Sequence, residues 1–302
     1  MGLRLDTYYD NTQAEISQGI ASLKFNNPSF LETSYIHSQD LRFQKLNLDT
    51  FEFDIDRIGL ETLFQETPSN KFSHSFGHSI FHETLDNVSN DAILGDLDSG
   101  SNVLSLLFGR FTYDLRDNPL NPHAGLASFF DVNLANELLG SDADYLLTSF
   151  RQVGILPLAS TKFDLANNFR VASAWGYSET DVIPISQRFY LGGRTSVRGF
   201  RENSLGPKGT NGSVIGGDLL LANNLELRYE TFTNLLTHVF LDTGTVYLKE
   251  KNVDFSQLRW GTGVGFRYLS PIGPVGFDLA HALDQKPGEP SFRLHFNIGS
   301  TF

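Results

Sequence analysis

The sequence predicts an all-β chain of antiparallel strands, each with one apolar and one polar face, and three observations carry that prediction. Apolar and polar residues alternate with period two through long stretches, as where Phe292, Leu294, Phe296 and Ile298 interleave with Arg293, His295 and Asn297. Clusters of Asp, Asn, Ser, Gly and Pro punctuate the chain at short intervals. No run of about eighteen apolar residues occurs, so no transmembrane helix is predicted, and the mean hydropathy is −0.19. Strands that alternate lipid-facing with lumen-facing residues escape that helix test.

Composition narrows the class. The 302 residues include no Cys and one Met, with 13% aromatic and 19% charged residues, enough for one large domain with a sizeable core. Disulfides are excluded, which suits a periplasm-exposed chain and many cytosolic ones. A formal charge of −12 argues against nucleic acid as a partner. No leader peptide follows Met1, so the start reads as that of an engineered, processed or truncated product.

In chain order, Leu3 to Tyr9 and Glu15 to Phe25 read as extended segments joined through Asp10-Asn11-Thr12, with a turn at Asn26-Asn27-Pro28-Ser29 and a third segment from Leu31 to His37. Gln39 to Asp56 alternates poorly and fits either a long loop or one further hairpin. Ile58 to Gln65 and Phe72 to Thr84 follow, then an outward-facing loop over roughly Asp86 to Asn102. His74, His78 and His82 recur every fourth residue, but in a strand they would spread over about 26 Å, too far for a shared metal.

Leu104 to Leu115 is a strand, and the Pro and Gly residues of Arg116 to Gly125 make a turn. Strands then run from Leu126 to Asn136, Tyr145 to Ile155 and Phe163 to Tyr177. Past residue 218, Leu219, Leu221, Leu225, Leu227 and Tyr229 face one way, while Ala222, Asn224, Glu226 and Arg228 face the other. The same reading puts Val239, Leu241 and Tyr247 outward, and Phe240, Asp242 and Gly244 inward. Gly261, Gly263 and Gly265 leave one face of their strand bare apart from Arg267, so something packs closely there. Pro271-Ile-Gly-Pro274 is a turn, after which Val275, Phe277 and Leu279 alternate with Gly276, Asp278 and Ala280. The count is about fourteen strands, or about sixteen if Gln39 to Asp56 is a hairpin.

Between the strands lies Gln187 to Pro207, neither helix nor ordinary strand. Gly192, Gly193, Gly199 and Gly206 let it fold sharply and present Arg198 at a tip. A solvated surface Arg is the bland alternative, but the glycine flanks favour a buried guanidinium, which needs an acidic partner. Glu226 and Asp242, both on the inward face, are the candidates.

Arg188-Phe-Tyr-Leu-Gly-Gly193, then Val197-Arg198-Gly199-Phe200, then Phe240-x-Asp242-x-Gly244 resemble the barrel of the bacterial outer-membrane assembly superfamily, BamA/TamA-like and related to two-partner-secretion transporters. The resemblance covers roughly the last two-thirds of the chain. It implies an antiparallel transmembrane β-barrel of sixteen-stranded type over residues 1–302, with an inward-folding loop over about 178–213. In the family the Val-Arg-Gly-Phe tip enters the barrel and its Arg meets acidic residues of the following strands. Arg198 would thus be a latch on Glu226 and Asp242, with Val197, Gly199, Phe200, Phe240 and Gly244 shaping the contact. Phe296, Ile298 and the terminal Phe302 would form a C-terminal assembly signal, although Ser300 stands where an aromatic would fit better.

This chain has no room for the periplasmic POTRA domains of the family. Asn27-Pro28 resembles the family's fourth-to-fifth strand turn, which implies that two earlier strands lie outside this chain. The function implied is insertion of outer-membrane proteins through a lateral seam. The alternative is a two-partner-secretion-type export channel or passive pore, because those transporters share the loop motif. Outer-membrane lipid, unfolded client barrels and periplasmic accessory proteins are the partners implied, in a Gram-negative outer membrane. Ser89, Asp91, His123 and His281 are raw material for a hydrolase, but there is no Gly-x-Ser-x-Gly elbow or His-Glu-x-x-His, so no catalytic, metal or cofactor site is expected.

Overall fold

The computed structural model describes residues 2–9, 16–28, 30–47, 53–119, 121–158, 162–232, 234–248, 253–270 and 273–298. Among the described residues, fourteen strands form one sheet in sequence order: β1 (Gly2–Tyr9), β2 (Ile16–Asn27), β3 (Ile36–Asn47), β4 (Asp54–Ser69), β5 (Phe72–Asp86), β6 (Gly100–Asp114), β7 (Gly125–Ala135), β8 (Tyr145–Pro157), β9 (Phe163–Gly176), β10 (Leu219–Phe232), β11 (Leu235–Tyr247), β12 (Arg259–Ser270), β13 (Gly273–Ala282) and β14 (Phe292–Ile298). Every neighbouring pair in the sequence is antiparallel, as in β10 against β11, where Glu226 faces Phe240. Connections alternate in length. Those after β4, β8, β10 and β12 are short, whereas those after β5, β9 and β11 lie at the opposite end and are long. Among the described residues, no ladder joins β14 to β1.

The sheet curls around the 177–218 connection. Ile185 and Ile215 of that loop pack on Ile55 of β4 and Leu85 of β5, while Val197, Phe200 and Leu205 pack on Ala222, Val246 and Ala282. Strands eight or nine places apart in the sheet therefore meet the same segment. Outward, the wall is apolar: Leu225, Leu227, Val239, Leu241, Val264, Phe266 and Leu279 are exposed. Rings form a ladder along that face, Phe163 on Tyr229 at 4.7 Å, Phe266 on Phe277 at 5.5 Å and Phe277 on Phe296 at 4.9 Å between centroids. An apolar band with clustered aromatics, enclosing polar side chains, is the surface of a barrel solvated by lipid.

Several expectations need correction. Leu31 to His37 is not a strand: Phe30–Glu32 is a 3₁₀ turn, with Leu31 and Glu32 at positive φ, and β3 starts at Ile36. Gln39 to Asp56 is neither loop nor extra hairpin but the rest of β3 and the start of β4, joined outside the described residues. Its alternation is poor because Leu46 and Ile55 point inward onto the loop, so both faces carry apolar residues. The loop between β5 and β6 does not simply face outward, since Ala92 and Asp98 are buried. Tyr247 is not lipid-facing either; its Oη donates to the Asp254 carbonyl at 2.7 Å, and the β11–β12 connection covers it.

The turn at Asp10-Asn11-Thr12, Pro271 and Ile272 of the next-to-last turn, and Ser300 and Phe302 lie outside the described residues. Phe296 stands on the outer face against Phe277, and Ile298 ends β14.

Candidate functional site: a buried arginine clamp

Gly192, Gly193 and Gly199 hold φ of +112°, +97° and +98°, which turns the inserted loop twice and points Arg198 at the wall. Ser196 steadies the first turn: its hydroxyl accepts from the Gly192 N–H at 2.9 Å, and its carbonyl accepts from the Asn224 side chain of β10. A β-carbon on Gly199 would press at 3.1 Å on the backbone of His281 and Ala282, so the loop approaches β13 as closely as chains allow.

The Arg198 side chain is 1% exposed. Its Nε donates to Asp242 Oδ2 at 2.7 Å and its Nη2 to Asp242 Oδ1 at 2.9 Å, a bidentate fork, while its backbone N–H reaches the same carboxylate at 3.0 Å. Nη1 donates to Glu226 Oε1 at 2.8 Å and to Asp278 Oδ2 at 3.3 Å. The guanidinium carbon lies 3.5 Å from the centroid of Phe240, a cation–π contact out of bulk water.

Three carboxylates from β10, β11 and β13 would repel one another around a single cation. Glu226 also takes Arg228 Nε at 2.9 Å and both Arg267 terminal nitrogens at 3.1 Å, and His238 Nε2 stands 2.8 Å from Asp278 Oδ1. Three arginines thus balance three acids, and a buried cluster of this kind persists only when so compensated. The glycine column of β12 makes the room. On Gly261 a β-carbon would collide with the Arg198 carbonyl, on Gly263 it would sit 2.6 Å from the Phe240 ring, and on Gly265 it would strike the Asp278 carboxylate.

The structure therefore brings Arg198, Glu226, Asp242 and Phe240 together. Val197 and Phe200 are buried behind them, and Gly244 leaves space for Leu191. Sequence reasoning missed Asp278, Arg228, Arg267 and His238. The alternation that turned Glu226 inward also turned Asp278, Arg228 and Arg267 inward, and that was the available signal. It missed a second clamp as well: Arg188 pairs with Asp98, both buried, and Arg188 also donates to the carbonyls of Ile183 at 2.9 Å and Ile215 at 3.1 Å. Asp98 accepts the Ile185 N–H at 2.7 Å, so the β5–β6 loop is joined to the inserted loop across the mouth of the barrel. Asp91 completes the join, accepting from the Asn211 N–H and from the Thr210 hydroxyl at 2.8 Å.

The residues considered for hydrolysis act as tethers. Ser89 bonds Ser213 and Asn211, His123 bonds Asp164 at 2.7 Å, and His281 bonds the Ser291 carbonyl at 2.7 Å. His74 bonds the Tyr35 hydroxyl at 3.0 Å and His78 bonds Ser105 at 2.8 Å.

A family model described as the Omp85 superfamily domain matches residues 11–302. The outer membrane protein assembly factor BamA of Neisseria meningitidis serogroup B is 29% identical over 219 residues, covering 62% of this chain and 27% of that protein. BamA of Nitratidesulfovibrio vulgaris is 26% identical over 308 residues, covering 98% of this chain and 38% of that protein. The chain thus spans well under half the length of these relatives. The crystal structure of BamA from Haemophilus ducreyi lacking POTRA domains 1–3 superposes with a TM-score of 0.81 at 21% identity, covering 97% of this chain and 63% of that one, a likeness of fold.

Two outcomes follow for the clamp. Arg198→Ala leaves three buried carboxylates short of a cation, a loss of about 3–5 kcal/mol, and limited proteolysis should then cut within 177–218 where the native chain resists. Gly261→Val should produce the same cleavage with every charge in place, because the side chain displaces the Arg198 backbone. A third concerns pH. The Asn211 N–H, and after it the Thr210 hydroxyl, hold the Asp91 carboxyl below its ordinary value. The folded value lies under the unfolded one, so the tie persists at neutral pH and is lost as pH falls through the folded value. Amide exchange at Asn211, corrected for intrinsic rate, should accelerate below about pH 4 in the native chain. Asp91→Asn should flatten that acceleration.

Proposed function

The chain belongs to the Omp85 superfamily, and from that premise we propose that it is the barrel of an outer-membrane protein assembly factor in a Gram-negative bacterium. The observation that carries this reading is the filled lumen. The Arg198 cluster fixes the inserted loop to β10, β11 and β13, and the Arg188–Asp98 pair fixes it to the opposite side. A barrel whose interior is so occupied has its usable surface at the sheet edge. There, backbone N–H and C=O groups that lack a neighbour can template a strand of an unfolded client barrel, and insertion proceeds by strand addition without bond-making chemistry. Neither a cofactor nor catalysis enters this reading. Clients are unfolded outer-membrane proteins, and periplasmic accessory proteins would deliver them.

The clamp's role in this scheme is mechanical. It holds β10 to β13 as a rigid part of the wall, so that strain from an incoming strand is taken up at the seam. An export channel with the loop as a removable plug is the competing reading, and the buried pairs weigh against it. Both would have to break for the loop to leave, and each exposes uncompensated charge in a low-dielectric interior.

Reconstitution into liposomes separates the two. Insertion of an unfolded client barrel should be faster than into protein-free liposomes, with little ion conductance, and Arg198→Ala should slow it by about tenfold or more if loss of the clamp softens the wall. Steady conductance with no effect on client insertion would instead establish the channel.

A further inference from the structure

Three consecutive residues of the last strand are held by the inserted loop or its clamp. The Gly199 N–H donates to His295 Nε2 at 3.3 Å, Asn297 Nδ2 donates to Asp278 Oδ2 at 3.0 Å beside Arg198, and between them Arg194 Nη1 donates to the Phe296 carbonyl at 3.5 Å. The first two contacts come from the inner face. The third differs, and the register of the sheet says how.

In an antiparallel pair, directly opposed residues alternate between exchanging both backbone hydrogen bonds and pointing both groups away from the partner. The Ala282 N–H donates to the Ser291 carbonyl, which makes those two a bonded pair. Two residues along, Ala280 with Arg293, then Asp278 with His295, and then Gly276 with Asn297 are bonded pairs by the same alternation. Phe292, Leu294 and Phe296 therefore turn their N–H and C=O groups away from β13, toward whatever strand lies on the far side of β14. Arg194 thus binds an acceptor on the pairing edge itself. The N–H of an added strand would reach the Phe296 carbonyl from the same side.

Arg194 is placed to do this. Its backbone N–H is fixed by Glu202 Oε1 at 2.9 Å within the loop, the residue is exposed, and Arg198 four residues on anchors the turn. We propose that Arg194 is a seam guard: with the loop seated, its guanidinium holds the Phe296 carbonyl, and any strand that pairs with β14 must displace it. The inference rests on the assembly reading above and names a specificity-determining residue for it. Strands with strong edge pairing displace the guanidinium, and weak ones do not. The bond is to an exposed, flexible side chain, so it tunes pairing without closing the seam.

The test uses the protein in liposomes and, as the added strand, a fluorescent peptide of residues 291–302, which include the sequence of β14. Arg194→Ala should bind the peptide about fivefold more tightly than the native chain, the worth of one charge-assisted hydrogen bond at a wet site. Arg194→Lys, which keeps a donor on a flexible stem, should stay within about twofold of native. Equal affinity of the native chain and Arg194→Ala would overturn the guard. So would tighter binding accompanied by new protease cleavage within 177–218, because Arg194 would then act by positioning the loop. If neither protein captures the peptide and client insertion is also no faster than in empty liposomes, the assembly reading itself fails and takes the guard with it. Absent capture alongside normal client insertion overturns the guard alone.

Discussion

Everything in this molecule leans on one buried cation. A guanidinium taken out of water is costly unless its nitrogens find acceptors, and Arg198 finds them in Asp242, Glu226 and Asp278 at once. Those carboxylates could not share so small a space without it and its neighbours Arg228 and Arg267. The dependence is mutual, so neither the loop nor the inner wall of β10–β13 holds its arrangement alone. Glycine on β12 follows from the same constraint, since any side chain at 261 or 265 would occupy the place of the loop or of Asp278.

The two faces of the wall answer to different solvents. Outside, aromatic and branched side chains stand exposed because lipid is their medium. Inside, charge is tolerated because it is matched group by group. The long connections at one end convert what would be an open tube into a filled one, with a small apolar core of Phe53, Ile55, Leu85, Ile185 and Ile215 beneath the Arg188–Asp98 pair. That core is where the barrel departs from a simple lipid-out, water-in pattern.

The departure explains what could be read from the chain and what could not. From Leu104 onward the strands were legible to within a few residues, because each has one face on lipid and one on a polar interior, and alternation reports that directly. Before it, Leu46 and Ile55 face the inserted loop, so both faces read as apolar and the period is lost. Arg198, Glu226 and Asp242 were legible because glycine spacing marks a sharp loop and strand parity marks an inward acid. Asp278 had the same parity, but nothing local says that an acid 80 residues away shares a cation. Arg188 stood at the head of the loop motif, but nothing local tied it to Asp98, since their pairing arises only when two connections meet over the mouth.

The reach of the Arg198 contacts along the chain also sets an order of events. Its partners lie 28, 44 and 80 residues downstream, so the loop closes over progressively longer stretches of chain. Asp278 is contributed by the penultimate strand, and a nascent wall that stops short of β13 offers the loop an incomplete set of acids. Seating of the loop with its full set of acids therefore needs β13 in place, and contacts at such separations are repaid only after the entropy of closing long stretches of chain has been met.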